Sequence, residues 1–145
     1  MNIIEMNADV NISQVMKTKL LTLHPKDSIE RTKEIFKQYK VHHIPVVVGE
    51  KVVGIISMGD VMLWSSIQSY QVGPMISNKN NISISCVEEI MTANPVCIQK
   101  DDMLSKALEL MVKYRINALP VIDDNKLVGI VTSYDFLKLL LNQIK

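Results

Sequence analysis

Two short segments of the sequence place a hydroxyl three residues before a carboxylate, at the end of an apolar run. One is Ser57 with Asp60, and the other is Thr132 with Asp135. If each pair opens a helix, the unpaired amide groups of the first turn attract an anion such as phosphate. The carboxylate adds a second capability, because its two oxygens can accept both hydroxyls of a ribose. The combination suits a nucleotide. Local chemistry alone favours simple helix caps, which contribute about 0.5 to 2 kcal/mol each.

The two segments belong to an internal duplication with a spacing of 75 residues. Gly54 to Asp60 aligns with Gly129 to Asp135 without a gap, and the same shift superimposes Pro45-Val46 on Pro120-Val121. Met16, Asp27, Glu34, Tyr39, Lys51 and Val53 recur at this spacing as Met91, Asp102, Glu109, Tyr114, Lys126 and Val128. Because one register is kept across strand, turn and helix signals, the chain consists of two copies of one unit.

Composition restricts the class of protein. The 145 residues are 48% hydrophobic and 21% charged, which is ordinary for a soluble protein. Sixteen basic and fifteen acidic residues give a net charge of +1, without the basic excess that favours nucleic-acid binding. The longest apolar runs, such as 44–48 and 137–141, are far shorter than the roughly 20 residues of a membrane span.

The N-terminus and the cysteines favour the cytoplasm. The first residues lack a basic region followed by an apolar stretch, so we expect no signal peptide. Cys86 and Cys97 form neither a Cys-x-x-Cys pair nor a disulfide framework. The sequence therefore predicts a cytoplasmic protein with neither a membrane nor a nucleic acid as partner.

Both copies carry signals for the element order β-α-β-β-α, which is an α/β (α+β) fold. The predicted boundaries are a lead-in at 1–10, a first repeat at 11–70, a polar linker at 71–84 and a second repeat at 85–145. One repeat is too small to bury its own sheet. We therefore expect the two repeats to pack on each other.

Several local features follow from the same signals. Hairpins are predicted for 44–48 with 52–57 and for 119–122 with 127–132, and the closing helices should begin near Gly59 and Tyr134. Capping boxes are predicted for Asn11 with Gln14 and for Ser85 with Glu88, and N-caps for Asp27 and Asp102. Core stripes of the first helices are predicted at Ile29, Ile35, Phe36 and Tyr39, and at Leu104, Leu108, Met111 and Val112.

As a set, these motifs resemble the CBS domain, the module named after cystathionine beta-synthase, present as a tandem pair over nearly the whole chain. The second copy matches the family pattern at Met91-Thr92, Leu119-Pro120-Val121 and Gly129 to Asp135. The first copy departs from it in two places, with Lys17 instead of the threonine and Met58-Gly59 before its aspartate.

The resemblance implies a regulatory module without catalytic activity. It also implies that the two repeats pack through their sheets with pseudo-two-fold symmetry. Tandem CBS domains are similar in having two clefts that in many members bind adenosine nucleotides, so AMP, ADP, ATP or a related molecule is the implied ligand, with no cofactor required. The module would report ligand binding to an unidentified target protein or through a homodimer formed by its closing helices. S-adenosylmethionine and adenine dinucleotides fit the same description.

The family's binding residues carry over to both copies. Asp135 would hold the ribose hydroxyls and Thr132 the ribose or phosphate. The implied ligand-binding residues are Val96, Asn117, Ala118, Leu119, Pro120, Thr132 and Asp135 in the second copy, and Leu21, His42, His43, Ile44, Pro45, Ser57 and Asp60 in the first. Lys19, Arg115, His42 or His43 could contact phosphates.

Two alternatives from other classes stay open at this point. One is a ligand-free structural or protein-interaction module whose clefts are plugged by side chains, for which His43 is the candidate plug. The other is an enzyme acting on a bound nucleotide, which would need a general base or a metal.

A metal site at His24, His42 and His43 is disfavoured because neighbouring residues point to different sides of an extended chain. Trp64 and Tyr70 fit either a partner interface or a filled junction.

Overall fold

The computed structural model describes residues 10–71 and 85–145, so most of the predicted lead-in and linker lies outside the described residues. The helices are α1 Ile29–Tyr39, α2 Met58–Gln71, α3 Val87–Ile90, α4 Leu104–Tyr114 and α5 Ser133–Ile144, with a short 3-10 helix at Ile12–Gln14. The strands are β1 His43–Val48, β2 Lys51–Ser57, β3 Thr92–Ala93, β4 Ile98–Gln99, β5 Ala118–Asp123 and β6 Lys126–Thr132. The predicted mixed α/β class is confirmed. None of the helices in the described ranges is both long and apolar enough to cross a membrane.

The chain forms two compact units, each with its own sheet and core. One unit spans Leu21–Asn94 and is called here the Asp60 unit; the other combines the segment ending at Leu20 with Pro95–Lys145 and is called the Asp135 unit. The sheet of the Asp60 unit has the strand order β1-β2-β3, and that of the Asp135 unit has β4-β5-β6.

Each sheet is built around an antiparallel hairpin, as predicted. In the Asp60 unit, β1 pairs with β2, and the turn between them has Gly49 at a φ of 62°. In the Asp135 unit, β5 pairs with β6, and Asp124 and Asn125 take the left-handed conformation at 50° and 61°. Asn and Asp tolerate this conformation better than most residues. Both hairpins end where a closing helix begins, within one residue of the predicted starts.

The compact units do not follow the sequence repeats. In the Asp135 unit, the backbone N–H of Ile12 donates to the carbonyl of Asp102 at 2.9 Å, and Lys17 exchanges two backbone hydrogen bonds with Ile130. In the Asp60 unit, the N–H of Val87 donates to the carbonyl of Asp27, and β3 pairs with β2. Each sheet therefore carries the entry segment of the other sequence repeat.

A methionine covers a strand glycine in each unit. A Cβ atom added to Gly129 would lie 3.0 Å from Met16 Cγ, and one added to Gly54 would lie 3.0 Å from Met91 Cγ. Real Cβ atoms rarely approach other heavy atoms this closely. Glycine at these two positions therefore lets each entry segment lie against its sheet.

Several predicted caps differ from the observed ones. Ser28 is the N-cap of α1 and accepts from the N–H of Arg31, while Met103 precedes α4 without a side-chain hydrogen bond. Asp27 and Asp102 instead close the preceding turns, because they accept the N–H groups of His24 and Gln99 at 2.8 and 3.0 Å. The predicted N-caps at these two aspartates are therefore wrong by one residue.

The capping box predicted for Ser85 and Glu88 is also displaced by one residue. Cys86 precedes α3, and its N–H lies 3.5 Å from Glu89 Oε1. At the other entry segment the prediction is confirmed, since the N–H of Asn11 donates to Gln14 Oε1 at 2.9 Å.

The predicted core stripes are only partly buried. Ile29, Phe36, Leu104 and Met111 are buried as expected. Tyr39 is 51% exposed, and Leu108 and Val112 are exposed as well. These positions lie on the outer side of short helices whose inner side is enough to cover one small sheet.

Candidate functional site

The Asp135 carboxylate lies at the start of α5, almost completely buried at 5% exposure. Its Oδ2 accepts the backbone N–H of Thr132 at 2.9 Å and the hydroxyl of Thr132 at 3.1 Å. Oδ2 is therefore committed to the helix start. The second oxygen, Oδ1, is the atom left for a further partner.

Two lysines approach Asp135 Oδ1. Lys17 Nζ and Lys138 Nζ each lie 3.7 Å from it, which is longer than a hydrogen bond. Both lysine side chains are about half exposed, at 54% and 51%. Lys17 reaches this position because its backbone is paired with Ile130 of β6. A buried carboxylate with two mobile ammonium groups is well suited to a ligand that carries both hydroxyls and negative charge.

The strand entering the Asp135 unit's hairpin lies next to this carboxylate through backbone pairing. Ala118 is the register partner of Thr132, and the carbonyl of Asn117 accepts the N–H of Ser133 at 2.9 Å. Ala118, Leu119 and Pro120 are buried, whereas Asn117 is exposed. Val96 is partly buried against the core of the unit. The structure thus brings the start of β5 and the end of β6 together with the start of α5. Leu119 and Val96 pack largely within the core of the unit.

The Asp60 carboxylate repeats the same helix start in the other unit. Its Oδ2 accepts the N–H of Ser57 at 2.8 Å, and the N–H of Asp60 donates to Ser57 Oγ at 3.0 Å. Asp60 is less buried than Asp135. Among the described residues, no ion pair to Asp60 is found, in contrast to the two lysines beside Asp135.

Histidines border the Asp60 site. His43 is the register partner of Ser57, and the carbonyl of His42 accepts the N–H of Met58 at 2.9 Å. Burial lowers the pKa of His43 below its usual value, the nearby His42 acts in the same direction, and the charge of Asp60 opposes them. Burial therefore favours the neutral form of the His43 imidazole.

The remaining predicted residues of the Asp60 site lie mostly in the core. Ile44 and Pro45 are buried within β1, and Leu21 is partly buried against the same core. Their role in any site is to form its apolar wall. Lys19 and Arg115, considered for phosphate contact, are exposed in the Asp135 unit, and Arg115 ends α4 in a left-handed conformation.

No metal site is found in the described part of the chain, where no three His, Cys, Asp or Glu side chains are grouped to hold an ion. Trp64 is partly buried and packs against the core of the Asp60 unit. The side chain of Tyr70 lies outside the described residues.

Comparison with known proteins decides the family. A family model of the CBS domain matches this chain twice, over residues 12–66 and 87–142. The chain belongs to the CBS domain family. The sequence resemblance is thereby confirmed for both repeats.

Curated relatives of this chain are longer than it is. An uncharacterized protein of Methanocaldococcus jannaschii is 29% identical over 133 residues, which is 91% of this chain and 40% of that protein. The inosine-5′-monophosphate dehydrogenase of the same organism is 33% identical over 127 residues, covering 86% of this chain and 22% of that enzyme. The chain thus spans less than half the length of these relatives.

Solved CBS structures share the fold. The CBS domain pair of protein MJ0100, in complex with 5′-methylthioadenosine and S-adenosyl-L-methionine, has a TM-score of 0.78 and 27% identity, covering 92% of this chain and 98% of that one. A structure of CBSX2 in complex with AMP has a TM-score of 0.75 at 22% identity, with 93% and 98% covered. At that lower identity the likeness concerns the fold.

Lys17 and Lys138 are the residues near the carboxylates that sequence reasoning missed. Lys17 stands where the CBS pattern has a threonine, and it belongs to the first sequence repeat although it packs in the Asp135 unit. The only available signal was the position of Lys138 one helical turn after Asp135, which places both side chains on one face of α5.

Proposed function

We propose that this chain is a regulatory CBS pair that binds an adenosine-type ligand such as AMP, ADP, ATP or S-adenosylmethionine, and that signals by a change of conformation or association. The observation that carries the proposal is the Asp135 carboxylate. It is buried, one oxygen accepts the N–H of Thr132 at the helix start, and the other lies 3.7 Å from the amino groups of two half-exposed lysines. Ligands of this class are bound by the CBS pair of protein MJ0100.

The assigned roles follow from the donors and acceptors available. Asp135 Oδ1 is proposed to accept a ribose hydroxyl, and Thr132 Oγ1, which donates to Oδ2 of the same carboxylate, is proposed for the second hydroxyl or a phosphate. The purine needs an apolar wall and backbone hydrogen bonds rather than a signature side chain. Ala118 and Leu119 at the start of β5, together with Val96, are proposed as that wall. In the Asp60 unit, Asp60, Ser57, Ile44 and Leu21 are proposed for the same roles.

The proposed output is a shift between states rather than a reaction. A ligand moves such an equilibrium only by as much as its affinities for the two states differ. We assign no catalytic step to this chain. The proposed partner that receives the signal is a target protein or a second copy of the chain. The free thiols of Cys86 and Cys97 support the cytoplasmic location proposed from the sequence.

Homodimer formation is proposed through the closing helices. On α2, Met62 and Leu63 are 64% and 65% exposed, and on α5 the residue equivalent to Met62, Leu137, is 61% exposed. In the Asp60 unit this surface borders a groove of about 390 Å³ between α1 and α2, lined by Phe36, Val61 and Met62 among others. Ser65 Oγ in its wall is buried without a hydrogen-bond partner in the described part of the chain.

A symmetric dimer presents one surface patch twice, so the apolar surface of one copy can cover that of the other. Sedimentation of the full chain tests this interface. Met62→Glu should convert the dimer into monomers by burying a charge in it. A monomeric wild type at all concentrations would contradict it.

Calorimetric titration of AMP, ATP and 5′-methylthioadenosine into the full chain tests the ligand proposal. Asp135→Asn keeps an oxygen for the N–H of Thr132 but removes the charge and one acceptor for ribose. Loss of a hydrogen bond to a charged group costs about 1.5–3 kcal/mol, which corresponds to a loss of roughly 10-fold or more in affinity.

Asp102→Asn is the matched control for that titration. Asp102 lies in the same unit and also closes a backbone turn, because it accepts the N–H of the residue three positions earlier. This turn precedes α4 and not the closing helix. Affinity should be unchanged in this variant. Equal affinities in wild type and Asp135→Asn would remove Asp135 from the site, and no binding of any adenosine ligand by wild type would reject the proposal.

One observation favours the ligand-free alternative for the Asp60 unit alone. The half-buried imidazole of His43 stands where the other repeat has the methyl group of Ala118. A side chain of that size can fill the space that an adenine would need. If it does, His43→Ala should create a binding site, and the calorimetric stoichiometry should rise by one ligand per chain.

A further inference from the structure

The two carboxylates lie in surroundings of different charge. Asp135 has the ammonium groups of Lys17 and Lys138 at 3.7 Å from the same oxygen. At the equivalent positions of the Asp60 unit the chain has Thr92 and Leu63. One carboxylate with two ammonium groups has a local charge of +1, whereas Asp60 keeps its negative charge without these cations.

The equivalence of Lys17 and Thr92 is structural as well as sequential. Lys17 pairs with Ile130 of β6, and Thr92 pairs with Ile55 of β2, which is the residue aligned with Ile130. Leu63 and Lys138 both follow their aspartate by three residues on the closing helix. Each lysine thus has a defined neutral counterpart at the same place beside the other carboxylate.

The lysines at Asp135 are not locked to the carboxylate. Their distances to Oδ1 exceed a hydrogen bond, and about half of each side chain is exposed. At this distance neither ammonium group is held to the carboxylate by a hydrogen bond. The amino groups can therefore turn toward a phosphate, where a charge-assisted hydrogen bond is stronger.

We infer that the Asp135 site selects phosphorylated adenosine ligands through Lys17 and Lys138, whereas the Asp60 site takes an adenosine ligand that lacks phosphate. This selectivity rests on the proposed ligand binding at both carboxylates. A phosphate in the Asp60 site would meet the charge of Asp60 without the two compensating cations. A neutral or sulfonium nucleoside avoids that repulsion.

Exchanging the two positions between the repeats tests the inference. Lys17→Thr with Lys138→Leu gives the Asp135 site the side chains of the Asp60 site. The full chain carrying Asp60→Asn is titrated with ATP and with 5′-methylthioadenosine, so that binding at the Asp60 site is weakened and the Asp135 site dominates the signal. The affinity for ATP should fall roughly 10-fold or more, since charge-assisted hydrogen bonds are lost, and the affinity for 5′-methylthioadenosine should change less than about 2-fold.

Lys106→Leu is the matched control, because Lys106 Nζ lies 2.9 Å from Asp102 Oδ2 in the same unit and forms an exposed pair away from Asp135. It should leave the affinities for both ligands unchanged. The reciprocal exchange, Thr92→Lys with Leu63→Lys in an Asp135→Asn background, should raise the affinity of the Asp60 site for ATP.

The outcomes separate this inference from the proposal beneath it. If wild type binds both ligands but the lysine exchange leaves the ratio of their affinities unchanged, the selectivity is wrong and the ligand proposal stands. If wild type binds neither ligand, the ligand proposal fails and the selectivity fails with it.

Discussion

The Asp60 and Asp135 units share the same start of the closing helix and differ in the side chains that surround it. In both, an aspartate at the start of the closing helix accepts a backbone N–H from the residue three positions earlier. The shared contact starts a helix and is needed whatever the unit binds. In the part of the chain that the structure describes, lysines form ion pairs with Asp135 and none with Asp60, whereas His43 lies opposite Ser57 in the Asp60 unit. Duplication therefore preserved the folding element, while substitution around it changed the chemistry that the element can serve.

The same comparison extends to the glycines beneath the entry segments. At Gly54 the nearest atoms to an added Cβ all belong to the flexible side chain of Met91. At Gly129 they include the backbone carbonyl oxygen of Lys17 at 3.0 Å. That oxygen cannot turn away freely, because it accepts the N–H of Ile130.

The largest expected effect is a difference in stability between Gly129→Ala and Gly54→Ala. Gly129→Ala should lower the free energy of unfolding by about 1–3 kcal/mol, as overpacking against a fixed group does. Gly54→Ala should cost less, since methionine can change its rotamer. Urea unfolding of the two variants measures both values.

A Met91→Ala second substitution should relieve the Gly54→Ala cost, whereas Met16→Ala should not fully relieve that of Gly129→Ala. Double-mutant cycles give these couplings directly. Equal losses for the two glycine variants would show that the entry segments are held in the same way in both units.

The repeats, hairpins and closing helices were predictable because they depend on local signals. Alternating apolar residues, turn residues and the Ser57 and Thr132 helix starts lie within a few residues of the elements they specify. The caps at Ser28 and Cys86 were missed by one residue. At such boundaries a neighbouring polar side chain can close the preceding turn instead, as Asp27 does.

The exchange of entry segments could not be predicted from the sequence. It depends on contacts between residues more than 100 positions apart, such as Lys17 with Ile130, and a repeat looks the same whichever sheet its entry segment joins. For that reason Lys17 was read as a departure from the family pattern in the first repeat. Its actual neighbour is the carboxylate of the second repeat.

A smaller difference is expected in the pH dependence of stability. Because burial lowers the pKa of His43 in the folded protein, the unfolded chain takes up a proton at higher pH. The contribution of His43 to the free energy of unfolding is complete above the usual histidine pKa, about 6.5, and is lost as the pH falls below it through the lower folded-state pKa.

His43→Ala, which installs the residue present at Ala118, should remove this part of the pH dependence. Urea unfolding at about pH 7.5 and about pH 5 compares the two proteins above and below the usual histidine pKa. His24→Ala, at an exposed histidine of the same unit, is the control and should follow wild type. Parallel loss of stability in wild type and His43→Ala would show that His43 is not the titrating group.

The central claim, that the two helix starts are ligand sites of different selectivity, is tested most directly by NMR titration of the labelled full chain. The amides of Ser57 and Thr132 are the reporters, because each donates to the carboxylate of its own unit. We predict that ATP shifts the Thr132 amide at lower concentration than the Ser57 amide, and that this difference is smaller or absent with 5′-methylthioadenosine. If both amides remain unmoved by either ligand while the protein is folded, the account is contradicted.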